Sequence, residues 1–116
     1  MEFPSEIELT QRELCTRFNV EFMPPERGTT LGFAVTSRDK KPVYGIRHLP
    51  HMNTNGWYVW CGDKTDDSSF FQALHPIHLV ERCPTALRFL ALPPGYGFIT
   101  DGDYIDVWYD KRFLVR

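Results

Sequence analysis

The chain has 116 residues, 42% of them hydrophobic and 15% aromatic, which suits one folded domain with a single core. The formal net charge is −2, so the sequence lacks the basic excess typical of proteins that bind duplex DNA or anionic membranes. No segment approaches the roughly 20 apolar residues of a transmembrane helix. The acidic N-terminus does not resemble a signal peptide. Three widely spaced cysteines, Cys15, Cys61 and Cys83, indicate reduced thiols in a cytoplasmic protein.

An amphipathic helix is predicted near the N-terminus. Ser5 and Thr10 each begin a capping-box pattern, so the helix is expected to start at one of them. It carries an apolar stripe at helical spacing, formed by Ile7, Leu14, Cys15 and Phe18. Asn19 and the Pro24-Pro25 pair are expected to end it. We therefore predict a helix that packs on the core.

Three strands are predicted in the middle of the chain. Leu31–Ser37 alternates large and small residues, and Val43–Arg47 follows after a charged turn, so the two are expected to pair as an antiparallel hairpin. In the third strand, Trp57–Cys61, Trp57, Val59 and Cys61 lie on one face and Tyr58 and Trp60 on the other. Because both faces are bulky, this strand is predicted to be central in the sheet.

A helical connection is expected next. Asp66, Asp67 or Ser68 is placed to cap a helix that begins near Ser69 and carries Phe70, Phe71 and Leu74. A second helical segment is predicted over Pro76–Arg82, because proline suits a first helical turn, and Cys83-Pro84 is expected to end it.

The C-terminal third is predicted to form three strands, Leu87–Leu92, Tyr96–Thr100 and Tyr104–Asp110, separated by turns rich in Pro, Gly and Asp. In the last strand one face mixes carboxylates with aromatics, namely Tyr104, Asp106, Trp108 and Asp110. Together the elements predict an α+β fold: a mostly antiparallel sheet of about five to six strands, packed with an N-terminal helix and a short helical connection.

A pattern of turn and core residues runs along much of the chain. It begins with Ser37-Arg38, Pro42-Val43, Tyr44, Arg47, Gly56-Trp57 and Cys61-Gly62-Asp63, and it continues through His78–Pro84 and Leu90–Gly95 to Val107–Asp110. This pattern resembles that of a family of small bacterial proteins known as immunity protein thirty-three-like domains. It covers roughly residues 31 to 112. The chain has Asn55 where the family often has Ser or Asp before Gly-Trp, which is a mild change in a turn. We expect a single domain over residues 1–116, with the N-terminal helix and loop at 1–30 and the family-like part at 31–112.

The resemblance implies a non-enzymatic, cytoplasmic antidote that binds and blocks a cognate toxin in bacterial competition. It supplies no catalytic residues, and it implies scaffold roles in turns and packing for its shared positions, Gly56, Trp57, Pro93, Gly95, Trp108 and Asp110. It implies no cofactor.

Two other classes of function remain open from the residues. His48-x-x-His51 and His75-x-x-His78 have metal-ligand spacing, and with Trp57 and Trp60 they would suit a small-ligand or metal-binding regulatory domain. Cys83 lies near His78 in sequence, which would suit a small hydrolase, although the chain has no nucleophile motif. Loop histidines and a packed thiol are the simpler interpretations.

An acidic and aromatic surface is the candidate binding site for a partner. Its residues are Asp63, Asp66, Asp67, Asp101, Asp103, Asp106, Trp60, Tyr104 and Trp108. Aromatic side chains in a charged surround anchor protein interfaces, and negative charge would speed the encounter with a basic toxin that acts on nucleic acid. The alternative is a solvated acidic rim with inward-packed aromatics. An exposed sheet edge would also allow a homodimer.

Overall fold

The computed structural model describes residues 4–34, 40–63 and 70–114. These residues form an α+β arrangement of helices packed on a six-stranded sheet. The strands are β1 (Thr30–Phe33), β2 (Val43–Arg47), β3 (Thr54–Cys61), β4 (Gln72–Leu74), β5 (Tyr96–Thr100) and β6 (Ile105–Tyr109). The helices are α1 (Ser5–Arg17), α2 (Leu79–Arg82) and three 3-10 segments, Pro76–His78, Pro84–Phe89 and Lys111–Phe113.

The sheet has the strand order β4-β1-β3-β2-β5-β6. Neighbouring strands are antiparallel except β1 and β3, which run parallel. The predicted hairpin between the first two strands is therefore wrong, because β3 lies between β1 and β2. This placement gives β3 a hydrogen-bonded neighbour on each side, and its inward side chains, Trp57, Val59 and Cys61, are fully buried. The prediction that this strand is central is confirmed.

Two other predicted elements differ from the structure. The segment expected as a strand at Leu87–Leu92 is helical up to Phe89 and then turns, because Pro84 opens a 3-10 helix that carries three buried side chains, Ala86, Leu87 and Phe89. The helix expected near Ser69 is contradicted at Gln72–Leu74, where the chain pairs with β1 as an edge strand. The residues expected to begin that helix, 66–69, lie outside the described residues.

The N-terminal helix is confirmed, from the earlier of the two expected starts to Arg17, and Asn19 follows it in the left-handed region with φ +56°. Leu14 and Cys15 are buried as its apolar stripe predicts. Gln11 is also buried, and its amide Nε2 donates to the Leu87 carbonyl oxygen at 3.0 Å. α1 is thus held against the Pro84–Phe89 segment by packing and by a buried hydrogen bond.

That 3-10 segment in turn packs on the inner face of the sheet. Phe89 stacks on Phe98 of β5 with the ring centroids 4.1 Å apart and the planes 4° from parallel. The Trp57 indole Nε1 donates to the Leu90 carbonyl oxygen at 2.9 Å, and its ring meets Phe98 edge-on. The core therefore lies between the helices and one face of the sheet.

Candidate protein-binding face

The other face of the sheet, which we call the outer face, carries a second set of large side chains. Strand alternation places on it Tyr58 and Trp60 of β3, Tyr44 and Ile46 of β2, Ile99 of β5, and Asp106 and Trp108 of β6. Asp106 is exposed and the others are half-buried. The helices of the core contact the inner face, so these side chains form a partly open aromatic surface.

The strand registers arrange the outer face in two rows. One row runs Trp60, Tyr44, Ile99, Asp106 across four adjacent strands. The next row runs Tyr58, Ile46, Gly97, Trp108 across the same strands. Trp60, Trp108 and Asp106, which the sequence analysis proposed for one surface, therefore do lie on one face.

Contacts between aromatic rings hold the outer-face side chains of β2 and β3 in place. Tyr44 and Trp60 stack with their centroids 5.4 Å apart, while Phe71 meets Tyr58 and Trp60 edge-on at 5.2 and 6.1 Å. The ring of Tyr58 also lies over Gly32 of β1, where a Cβ atom would come 2.8 Å from it. Because these rings already have fixed positions, they lose little conformational entropy when a partner binds, and this favours their use in a protein interface.

The acidic residues gather at one end of the sheet. Cys61, Val43, Thr100 and Ile105 are register partners in sequence across β3, β2, β5 and β6. Asp63 follows the first of these, and Asp101, Asp103 and Tyr104 lie in the turn between the last two, so they share this end. All four are exposed, with Tyr104 at 58%.

Two lysines lie at the same end of the sheet. Lys40 and Lys41 precede β2, and a Cβ atom on Gly62 would come 2.9 Å from the Lys40 side chain. Lys41 adds a minor attraction to Asp101. The acidic end is therefore a mixed surface and carries less negative charge than its carboxylates alone suggest.

Several of the carboxylates also organise local backbone. Asp101 Oδ1 accepts hydrogen bonds from the Tyr104 and Asp103 N–H groups at 2.8 and 3.0 Å, and these bonds hold the pKa of that carboxyl below its ordinary value. Asp106 Oδ1 accepts from the Val107 N–H at 2.9 Å. Of the carboxylates of Asp101, Asp103 and Asp106, that of Asp103 accepts no hydrogen bond from the described residues, so it is the freest of the three to contact a partner.

Asp110 was expected on the acidic face of the last strand. It follows β6 instead and caps the Lys111–Phe113 segment, where Arg112 donates to it from Nε and Nη2, the latter at 2.6 Å. The ion pair lowers the pKa of Asp110 to about 2. This carboxylate is neutralised within the chain and belongs to the C-terminal turn.

A comparison with known protein families identifies the family of this chain. The model of the Imm33-like domain family matches residues 10–110, which is most of the chain. The chain belongs to the Imm33-like domain family. The match begins inside α1, earlier than the resemblance seen in the sequence, and extends through β6. Neither the curated proteins nor the solved structures include a match to this chain.

Several outer-face residues of this Imm33-like domain carry no signal in the sequence. Tyr44, Ile46 and Ile99 look like ordinary strand residues. Only the strand order brings Tyr44 and Ile99 between Trp60 and Asp106, and Ile46 between Tyr58 and the row partner of Trp108. Two further candidates, Asp66 and Asp67, lie outside the described residues. Within the described part, no helix has both the length and the apolar composition needed to cross a membrane.

The histidines do not converge on one point. His48 Nδ1 lies 2.7 Å from the Phe113 carbonyl oxygen and so donates its proton there, whereas His51 is exposed in the turn before β3. His75 and His78 lie beside each other, with ring centroids 6.3 Å apart. Across residues 4–34, 40–63 and 70–114, no three His, Cys, Asp or Glu side chains are grouped to hold a metal ion. Trp57 and Trp60, expected with the histidines around one pocket, lie on opposite faces of β3.

Cys83 is placed as a packed thiol. Only 5% of it is exposed, whereas its expected partner His78 is exposed. Its sulfur receives hydrogen bonds from the Cys61 side chain and the Ala86 N–H, and these lower the pKa of Cys83 although burial opposes them. Cys83 therefore belongs to the buried core of the domain.

Proposed function

We propose that this Imm33-like domain is a non-enzymatic immunity protein that binds and neutralises a cognate bacterial toxin through the outer face of its sheet. Family membership supports the general role. The observation that carries the placement is the continuous surface of half-buried aromatic side chains on the side of the sheet away from the helices. It acts in the cytoplasm as a stoichiometric inhibitor and needs no cofactor.

Large aromatic side chains with a polar rim are the usual energetic centre of a protein interface. Here Trp60 and Trp108 lie in neighbouring rows, and Tyr44 and Ile99 continue the row of Trp60 across β2 and β5. A partner that covers both rows would bury rings that already have fixed positions. Its affinity would then come from apolar contact, as is common for tight inhibitors.

The charged rim supports a basic partner, such as a toxin that acts on nucleic acid. Asp106 lies within the first row, and Asp63, Asp101 and Asp103 lie at its end of the sheet. Complementary charge mainly speeds association and fixes orientation. Since Lys40 and Lys41 are interspersed there, we expect this contribution to be local and to weaken as ionic strength rises.

The experiment pairs the protein with a toxin from its own organism, recovered by affinity capture with the tagged protein. Wild-type protein should restore growth of cells that express the toxin and should form a 1:1 complex by light scattering. Trp60→Ala and Trp108→Ala should each weaken the complex by about 2 kcal/mol or more, the usual effect of a central aromatic contact. Asp106→Lys should slow association.

The matched control is Glu13→Lys, which reverses an exposed charge on α1, away from the outer face. It should leave both binding and growth unchanged. Each variant is used only if its melting temperature stays within a few degrees of wild type. Full affinity of both tryptophan variants would overturn the placement on the outer face. A wild-type protein that self-associates through this face and fails to bind the toxin would make the face a homodimer interface instead.

A further inference from the structure

A cavity of about 250 Å³ opens at the end of the sheet opposite the acidic turns. It lies beside Arg47, the last residue of β2, and its walls include Met23, Pro50, Met52 and Pro94. Glu26 also lines it. An engineered cavity of about 150 Å³ is large enough to take up benzene, so this space would hold a small organic molecule.

Arg47 is the unusual residue of this cavity. Its side chain always carries a positive charge, yet only 4% of the residue is exposed. Its Nε donates to the Asn55 carbonyl oxygen at 3.1 Å. Its Nη1 donates to the carbonyl oxygens of Met23 at 2.6 Å and Leu92 at 2.8 Å. The guanidinium thus joins three separate segments of backbone around the cavity.

These bonds use three of the five N–H donors of the guanidinium, so the two on Nη2 remain. Nη2 has no hydrogen-bond acceptor among the described residues. In this part of the chain every fully buried side-chain nitrogen has a hydrogen-bond partner, so a nitrogen without one must retain some exposure. Nη2 is therefore not fully shut off from solvent, and the cavity is the space that Arg47 lines.

The charge of Arg47 also lacks a counter-ion. It forms no ion pair with any carboxylate in residues 4–34, 40–63 or 70–114, and its neighbours are carbonyl dipoles and the face of Trp57, 5.7 Å away. Burial lowers the pKa of Arg47 to about 10, which leaves it protonated at neutral pH. A buried cation held only by dipoles gains from an anion that can reach it.

We propose that this cavity is a binding site for a small organic carboxylate, whose oxygen accepts hydrogen bonds from Arg47 Nη2 and whose apolar stem lies against Met23, Met52 and the prolines. The site is separate from the toxin-binding face and does not depend on the proposed function. Because Nε and Nη1 are already engaged, the contact is with one end of the guanidinium, which suits a monoanion better than a multivalent phosphate.

The negative charge of Glu26 should weaken the binding of an anion in this cavity. Glu26 is exposed and lines the same cavity as Arg47, so its negative charge would repel an anion bound there. Removing that charge should therefore tighten binding of the carboxylate. Glu21 is also exposed in the same loop and does not line this cavity, so it supplies a matched control.

The test follows the methyl NMR signals of Met23 and Met52, assigned by substitution of each to leucine, while sodium benzoate is added. Benzamide, which has the same shape without the charge, and sodium chloride are titrated separately. Benzoate should shift both signals in a saturable manner, and the other two should not. Equal shifts with benzamide would overturn the role of Arg47, and equal shifts with chloride would overturn the ligand class.

Two pairs of variants complete the test. Glu26→Gln should bind benzoate about two- to five-fold more tightly, the size expected when one screened like charge is removed, and Glu21→Gln should match wild type. No difference between these two would overturn the proposal. Arg47→Lys, which keeps the charge without the fork, should abolish the shifts; if it does not fold, the glutamate pair decides alone.

Discussion

Gly45 of β2 offers the sharpest test of how the inner face is packed. A Cβ atom there would overlap the ring of Phe98, with the Cζ and Cδ2 atoms 2.7 and 2.9 Å away and Cε2 closer still. Phe98 cannot withdraw, because it is fully buried and its other side is stacked on Phe89. We therefore expect Gly45→Ala to force a shift of the whole stack.

Two opposing effects determine how much Gly45→Ala changes the free energy of unfolding. Alanine in a strand avoids the extra backbone entropy of glycine, which favours the variant by about 0.5–1 kcal/mol. Overpacking of a rigid core costs about 1–3 kcal/mol, and this contact is at the severe end because the obstacle is an immobile ring. The free energy of unfolding should fall by about 2 kcal/mol, which corresponds to about 6–12 °C in melting temperature for a domain of this size.

The assay is urea unfolding followed by tryptophan fluorescence, and Gly97→Ala is the matched control. Gly97 lies on the neighbouring strand but faces outward, where a Cβ atom would come 3.1 Å from the half-exposed ring of Trp108 and 3.2 Å from the Gly45 carbonyl oxygen. The Trp108 ring can move towards solvent, so the free energy of unfolding of Gly97→Ala should stay within about 1 kcal/mol of the wild-type value. Equal losses in the two variants would refute the reasoning that the two faces differ in freedom to adjust.

Three further predictions concern buried donors, pH and thiols. Trp57→Phe removes the N–H that donates to Leu90, and the unpaired carbonyl should lower the free energy of unfolding by about 1–3 kcal/mol in urea; an unchanged value would show that the carbonyl finds another donor. The pKa of Asp110 is lowered, so its ion pair contributes stability above the ordinary pKa near 3.8, and the contribution disappears as the pH falls through about 2. A carboxyl NMR titration should give that low value and a higher one in Arg112→Gln, and equal values would contradict the pairing. All three thiols, Cys15, Cys61 and Cys83, are buried, so Ellman's reagent should react with them only as the protein unfolds. Rapid reaction of any of them in native protein would contradict the packing.

The sequence predicts those elements whose signal is local. α1 has an apolar stripe and a terminating Asn19, and β3 has bulk on both faces, so both could be predicted, although no side chain caps the start of α1. The order of the strands could not, because the position of β3 between β1 and β2 depends on contacts distant in sequence. Leu87–Leu92 shows the same limit. Its apolar run suits either a buried strand or a helical turn, and Pro84 decides in favour of the helix.

The candidate site was predictable to a similar extent. Trp60, Asp106 and Trp108 could be proposed from strand alternation, which each strand carries in its own sequence. Tyr44 and Ile99 join them only through the sheet register. Arg47 belongs to the family-like pattern, but its burial and its bonds could not be predicted, because its three carbonyl partners come from separate loops and strands.

The contact between α1 and the Pro84–Phe89 segment bears on how the chain is made in the cell. Gln11 and its partner Leu87 are 76 positions apart, as are Cys15 and the Ala91 carbonyl that its thiol contacts. Synthesis therefore delivers the apolar stripe of α1 long before its cover exists. At about 5–20 residues per second, that stripe remains exposed on the ribosome for seconds, which leaves time for a chaperone to bind it.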